Sequence, residues 1–183
     1  MDVLVIGRNV DVMETVKRGL IAKGIAADGT IDAEHASTDF DAPDFALVAL
    51  GGGLGSPLRE TLKSDFRRQN PDVILLDTFA PVAVPHISAS LNAKPRGQQF
   101  ATRFEITEHG GSYLMFLDVT QECDVCVETY CAKSWFRGIT LGRGHLSPGP
   151  FVFRIHEQEL HAGLNIIVVT LGDSEFYLHR IER

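Results

Sequence analysis

The sequence predicts two successive soluble domains: an α/β domain over residues 1–92 and an all-β domain over residues 98–183. Three observations predict this. The hydrophobic pattern alternates between strand-like and helix-like periods in the first half, then becomes strand-like throughout. Aromatic residues number four in residues 1–95 and eleven in residues 96–183. Between the halves, Leu91-Asn92-Ala93-Lys94-Pro95-Arg96-Gly97-Gln98 is short, polar and bears Pro and Gly, as linkers do. The chain has 183 residues, 44% hydrophobic and 22% charged, which is ordinary for a protein that buries a core. Two domains of roughly 90 residues are viable, each burying less of its surface than a larger domain would.

In the first part, Val3–Ile6 is a continuous apolar run, the mark of a strand covered on both faces in a parallel sheet. Asp11 is placed to cap a helix whose apolar positions Val12, Val16, Leu20 and Ile21 recur at helical spacing, and Gly24 ends it. Ile25–Ala27 is a weak second strand. Phe45–Leu50 is a second strong apolar run. Ser56-Pro57 reads as an N-cap followed by proline at the first helical position, opening a helix through Leu58, Leu62 and Phe66. Asn70-Pro71 stops it, Val73–Leu76 is another buried strand, and a poorly marked helix covers Val84–Leu91. Strands separated by helices imply right-handed crossovers and a parallel sheet.

In the second part, Phe100–Ile106, Tyr113–Val119, Val125–Cys131, Phe151–Ile155, Leu164–Thr170 and Phe176–Ile181 are short and rich in β-branched and aromatic residues. Gly110-Gly111, Gly142–Gly144, Pro148-Gly149-Pro150, Gly163 and Gly172-Asp173 read as the turns between them. Six or seven strands without helices predict an antiparallel sandwich or barrel.

The formal net charge of −7 is evenly spread, with 9 basic and 13 acidic residues in 1–95 against 8 and 11 in 96–183. Neither half has the basic patch that phosphate-backbone binding needs, so no nucleic-acid partner is expected. Arg67-Arg68 with Lys63 reads as the solvated face of a helix. No apolar run approaches the roughly 20 residues of a membrane span, and the chain enters a strand at once, so a cytoplasmic location is expected. Cys123, Cys126 and Cys131 lie in one strand-like stretch. Residues three apart on a strand face opposite ways, which disfavours a shared metal and favours packed strand cysteines.

Laid out in order, Val3-Leu4-Val5-Ile6, the Asn9–Val16 helix start, the Gly24 turn and Asp44-Phe45-Ala46-Leu47-Val48-Ala49-Leu50 resemble the receiver domain of response regulators over residues 3–78, a flavodoxin-like fold. The resemblance implies a parallel sheet with flanking helices. It also implies an acidic pair after the first strand and a phosphoacceptor aspartate ending the third, where this chain has Gly7-Arg8 and Gly51-Gly52-Gly53. Without those carboxylates there is no hard-oxygen magnesium site and no nucleophile. Thr78 stands near the family's hydroxyl after the fourth strand, and Lys94-Pro95 is similar to its lysine-proline pair. The resemblance thus implies a pseudo-receiver.

Gly51-Gly52-Gly53-Leu54-Gly55-Ser56-Pro57 is the strongest local signal. It joins a buried strand to a helix N-terminus at the carboxyl edge of the sheet, where open α/β sheets bind ligands and free N–H groups attract anions. Arg8 and Asp77, at neighbouring strand ends, and Thr78 complete the candidate site. The stretch has neither a dinucleotide fingerprint nor a Walker lysine. Four features of the second part read as structure. Gly172-Asp173-Ser174 is similar to the serine motif of GDS-type esterases but lies between strands as a hairpin turn. His156, Glu157, Glu159 and His161 read as a solvated turn. Leu160–Val169 is similar to a run in sugar-binding β-sandwich modules, where it marks a strand entry. Tyr130, Trp135 and Phe136 read as core aromatics before they read as a sugar platform.

The sequence therefore favours a non-catalytic regulatory or interaction protein. Its site would be Arg8, Gly51, Gly52, Gly53, Gly55, Ser56, Asp77 and Thr78, taking a protein partner or a small anion, with no cofactor or metal and with self-association as a further option. One alternative is a nucleotide- or phosphate-binding protein or enzyme using the Gly51–Ser56 loop. Another is a carbohydrate-binding module on the β domain.

Overall fold

A computed structural model describes residues 2–95, 97–131 and 138–183. The chain divides into two units, Met1–Leu91 and Asn92–Arg183. In the first, strands β1 (Asp2–Ile6), β2 (Ala26–Thr30), β3 (Leu47–Leu50) and β4 (Ile74–Asp77) form one parallel sheet in the order β2-β1-β3-β4. Among the described residues no strand pairs with the outer edge of β4.

The central strands are apolar at every buried position because both faces are covered. Val3, Val5, Leu47 and Ala49 pack with helices α1 (Val10–Ile21) and α4 (Ala83–Leu91). Leu4, Ile6, Val48 and Leu50 face the other way, toward α2 (Ala36–Asp39) and α3 (Ser56–Gln69). Alternate residues of one strand thus feed two separate cores, as the period of two requires.

Local chemistry sets the helix ends, and two caps differ from the sequence expectation. Asn9, not Asp11, caps α1: its side-chain oxygen accepts from the N–H groups of Asp11 and Val12 at 3.0 and 3.1 Å. Asp11 sits inside the first turn, where a carboxylate favours the helix dipole. Gly55, not Ser56, caps α3, since its carbonyl accepts the first helical bond from Arg59 N–H at 3.0 Å. α3 therefore starts without a side-chain cap.

The second unit is antiparallel. It contains β5 (Ala101–Glu108), β6 (Ser112–Val119), β7 (Cys123–Cys131), β8 (Ile139–Leu146), β9 (Gly149–His156), β10 (Leu164–Leu171) and β11 (Glu175–Glu182). One sheet runs β5-β6-β9 and the other β11-β10-β7-β8. Met115, Leu117 and Ile155 from the first join Ile167, Val169 and Leu171 from the second in one hydrophobic cluster.

Gly142–Gly144 is not a turn but part of β8, paired with β7. A Cβ at Gly142 would lie 2.7 Å from the Phe153 ring, so the glycine is there for close packing within a strand. No helix among the described residues is long and apolar enough to cross a membrane.

Candidate functional site

α1 leaves β1 on one face of the parallel sheet, and α3 leaves β3 on the other. Because β1 and β3 are neighbours, their carboxyl ends frame a topological switch point, where open α/β sheets bind ligands. The predicted residues converge there. Gly51 N–H donates to the Ile6 carbonyl at 2.9 Å. A Cβ on Gly51 would stand 3.0 Å from that same oxygen, so the loop after β3 runs against β1 with no room for a side chain. A Cβ on Gly53 would lie 3.7 Å from Arg8 Cβ, and one on Gly52 would lie 3.2 Å from Phe79 Cβ and 3.8 Å from the Thr78 carbonyl. None of these loop glycines has a positive φ. Gly51 and Gly52 serve close approach, not a left-handed turn, while Gly53 has room for a Cβ. Gly52, Gly53, Gly55 and Ser56 are exposed and Gly51 is half-buried.

The charged groups of this edge are engaged with one another. The Arg8 guanidinium forms a two-pronged pair with Glu34, one contact at 2.6 Å, and is turned toward the loop after β2. Hydrogen bonding to Arg8 holds the Glu34 carboxyl below the usual carboxylate range. Next to it, His35 Nδ1 lies 3.0 Å from both Asp32 oxygens, which raises its pKa.

Asp77, at the end of β4, has two partners from α3. Lys63 Nζ donates to it at 2.6 Å and Arg59 lies 3.4 Å away. Arg59 also donates to the carbonyls of Gly51 and Leu54, each at 3.1 Å, pinning both ends of the glycine loop. The bond to Asp77 raises the Lys63 pKa. Lys63 is therefore not part of a solvated basic face: its side chain is 16% exposed and points at Asp77. Thr78 is buried, and its Oγ1 has no hydrogen-bond partner among the described residues.

Glu34, Arg59 and Lys63 were missed by reading along the chain. Arg59 and Lys63 stand four apart on α3, a spacing that signals a shared helix face but not what that face meets.

In the second unit the sequence motifs resolve into structural roles. Gly172-Asp173-Ser174 is the turn between β10 and β11, with Gly172 at φ +55. Glu157–Glu159 forms a 3-10 turn in which the Glu159 carboxylate accepts His156 N–H at 2.7 Å. Asn165 is fully buried; it accepts from His161 N–H at 3.0 Å and donates to the carbonyls of His161 and Gly163 at 2.8 and 3.0 Å. The Leu160–Val169 run is therefore a turn lock followed by a strand.

Tyr130 is 6% exposed and its hydroxyl donates to Glu128 at 3.1 Å, which removes it from a stacking platform. Trp135 and Phe136 lie outside the described residues. Cys123 and Cys131 are buried, Cys126 is half-buried, and none of the three forms a disulfide.

No protein-family model matches the chain. No curated protein sequence matches it either. Among solved structures, a β-glucosidase from Erythrobacter marinus aligns with 98% of this chain and 46% of its own, at 9% identity and a TM-score of 0.37. A GH3 β-glucosidase from Bifidobacterium adolescentis aligns with 98% of this chain and 48% of its own, at 10% identity and a TM-score of 0.35. A β-glucosidase 3B from Thermotoga neapolitana aligns with 100% of this chain and 51% of its own, at 8% identity and a TM-score of 0.29. This chain thus spans about half the length of each, and at these TM-scores the likeness carries no inference about it.

Proposed function

We propose that this chain is a non-catalytic regulatory or interaction protein that presents the carboxyl edge of its parallel sheet to a protein partner. One observation carries the reading. The charged side chains that could do chemistry at that edge are committed to internal ion pairs, Arg8 with Glu34 and Asp77 with Lys63 and Arg59. What remains outward is the small-residue surface Gly52, Gly53, Gly55 and Ser56. A reaction centre needs a base or nucleophile free to move a proton. A recognition surface needs only fixed shape and unspent backbone polar groups.

The strand order β2-β1-β3-β4 with helices on both faces supports the pseudo-receiver reading. The single cluster fed by both antiparallel sheets supports a β-sandwich for the second unit. A cytoplasmic location is part of the same proposal.

A second reading, a small anion such as phosphate at the loop, is favoured by one observation. α3 begins without a side-chain cap, leaving its first-turn N–H groups to another acceptor.

The test places a photo-crosslinking residue at Gly53 or Ser56 in the cells that make the protein, with Asp28 at the opposite edge as control. A discrete adduct from the loop positions alone, lost when Arg8 is changed to Glu, supports the partner reading. Equal labelling from all three positions sinks it. A melting-temperature rise with inorganic phosphate that disappears in Gly53→Glu moves the assignment to the anion.

A further inference from the structure

The sheet β5-β6-β9 turns one side to the core and the other to solvent. Met115, Leu117 and Ile155 point into the hydrophobic cluster, so Leu114 and Phe116 of β6 and Val152 and Arg154 of β9 point outward. The pairing registers set the outward residues in rows across the three strands. Glu105, Phe116 and Val152 form the middle row. Thr107, Leu114 and Arg154 form the row on one side of it, and Arg103, Asp118 and Pro150 the row on the other.

A solvated sheet face is ordinarily polar. This one carries Phe116 beside Val152, with Leu114 two residues along the same strand, and Val152 is 53% exposed. Apolar side chains that adjoin on an outer face and are rimmed by charge form the pattern of an interaction site.

The charges around the patch decide what fits it. Arg103 Nε and Nη2 both donate to one Glu105 oxygen, Oε2, at 3.1 and 2.5 Å. The same guanidinium lies 5.3 Å from the centre of the Phe116 ring. Glu105 Oε1 has no partner among the described residues, and the exposed Arg154 guanidinium on the far strand has none either. Two cations, Arg103 and Arg154, thus stand against two carboxylates, Glu105 and Asp118. A face balanced in this way does not select a partner of one sign.

It is complementary to a second copy of itself. Two copies stacked about a two-fold axis along β6 lay β5 of each over β9 of the other. Phe116 and Leu114 then lie on the axis, and Val152 covers the Glu105 stem of the second copy. Rows lie about 7 Å apart along a strand and packed sheets about 10 Å apart, so each Arg154 reaches the open Oε1 of the other copy's Glu105. A two-fold axis across the strands would instead lay β5 over β5 and set Glu105 against Glu105, which like charge disfavours.

We propose that the outer face of β5-β6-β9 is a self-association surface, closing a two-fold dimer through Phe116 and Leu114 with an Arg154–Glu105 pair on either side. Three strands of eight residues present about 400 Å² per copy, half the usual share of a stable interface, so the dimer is weak and reversible.

The test is sedimentation of the full chain from about 10 µM to about 1 mM. The mass rises with concentration from 20.1 kDa toward twice that value. Val152→Glu and Arg154→Glu, both at exposed positions, each weaken association by at least about tenfold. Arg154→Glu combined with Glu105→Arg restores it, because the charges are exchanged and not removed. A chain that stays at 20.1 kDa throughout overturns the inference and leaves the face to a different protein. A dimer that neither substitution weakens lies elsewhere on the molecule and overturns it too, and failure of the exchanged pair to restore association overturns the two-fold arrangement.

NMR of the unsubstituted protein gives an independent reading, should a variant fail to fold. The Phe116 and Val152 amide signals move with concentration while that of Val168 in β10 stays. Signals that all stay, or all move alike, refute the assigned face.

Discussion

Asn165→Ala separates a structural from a ligand-binding role for the most motif-like residue in the second unit. The side chain is fully buried and makes three hydrogen bonds, at 3.0, 2.8 and 3.0 Å, that close the turn entering β10. Each bond is worth about 0.5–1.5 kcal/mol net, and taking the partner from His161 N–H adds to the loss while the Gly163 carbonyl keeps Arg183 N–H at 3.2 Å, so the expected cost is about 3 kcal/mol. With a urea slope of roughly 1.5 kcal/mol/M for a unit this small, the midpoint falls by about 2 M.

Far-UV circular dichroism follows the loss of the antiparallel sheets. Asn165→Asp keeps the acceptor for His161 N–H but turns a carboxylate toward two carbonyls, so it destabilises at least as much. A midpoint within about 0.3 M of the parent for Asn165→Ala would refute the turn-lock assignment. A residue held for ligand contact would leave the midpoint where it was.

Gly51→Ala places a Cβ 3.0 Å from the Ile6 carbonyl, which is backbone and cannot swing aside, and is expected to cost about 1–3 kcal/mol. Gly53→Ala meets only ordinary contact at 3.7 Å and is expected to stay within about 0.5 kcal/mol; denaturant unfolding of the two variants side by side checks the contrast. By NMR titration, His145 is expected above the ordinary 6.5 because of its bond to Asp124, and His86 below 6.5 because of burial. The signs then oppose. The His145 contribution to stability is present below pH 6.5 and fades as pH rises through its raised pKa. The His86 contribution is present above pH 6.5 and fades as pH falls toward its lowered one. Melting profiles of His145→Gln and His86→Gln from pH 5 to 8 flatten on opposite sides if this holds.

The sequence by itself determined the element types, because they depend on neighbours a few residues apart. Val3–Ile6 and Leu47–Leu50 are apolar throughout and became strands covered on both faces. Of the Val12, Val16, Leu20 and Ile21 spacing read for α1, Val16 and Leu20 are buried beside Met13, Val12 is half-buried and Ile21 is exposed. Where local signals compete, the reading slipped. Gly142–Gly144 looked like a turn because a glycine that makes room for Phe153 cannot be told from one that bends the chain. The 3-10 turn at Ala42–Asp44 and the single-turn α2 were missed because neither is long enough to show a period.

The candidate site divides in the same way. That a glycine loop should follow the third strand and meet Arg8 at the sheet edge was readable from the order of the elements. That Arg8 is held by Glu34, 26 residues away, and Asp77 by Lys63, 14 residues away, was not. Periodicity and capping are written within one or two turns of chain, so they survive in the sequence alone. An ion pair across strands exists only after the crossover path has fixed which loops are neighbours, and the tertiary structure alone decided that.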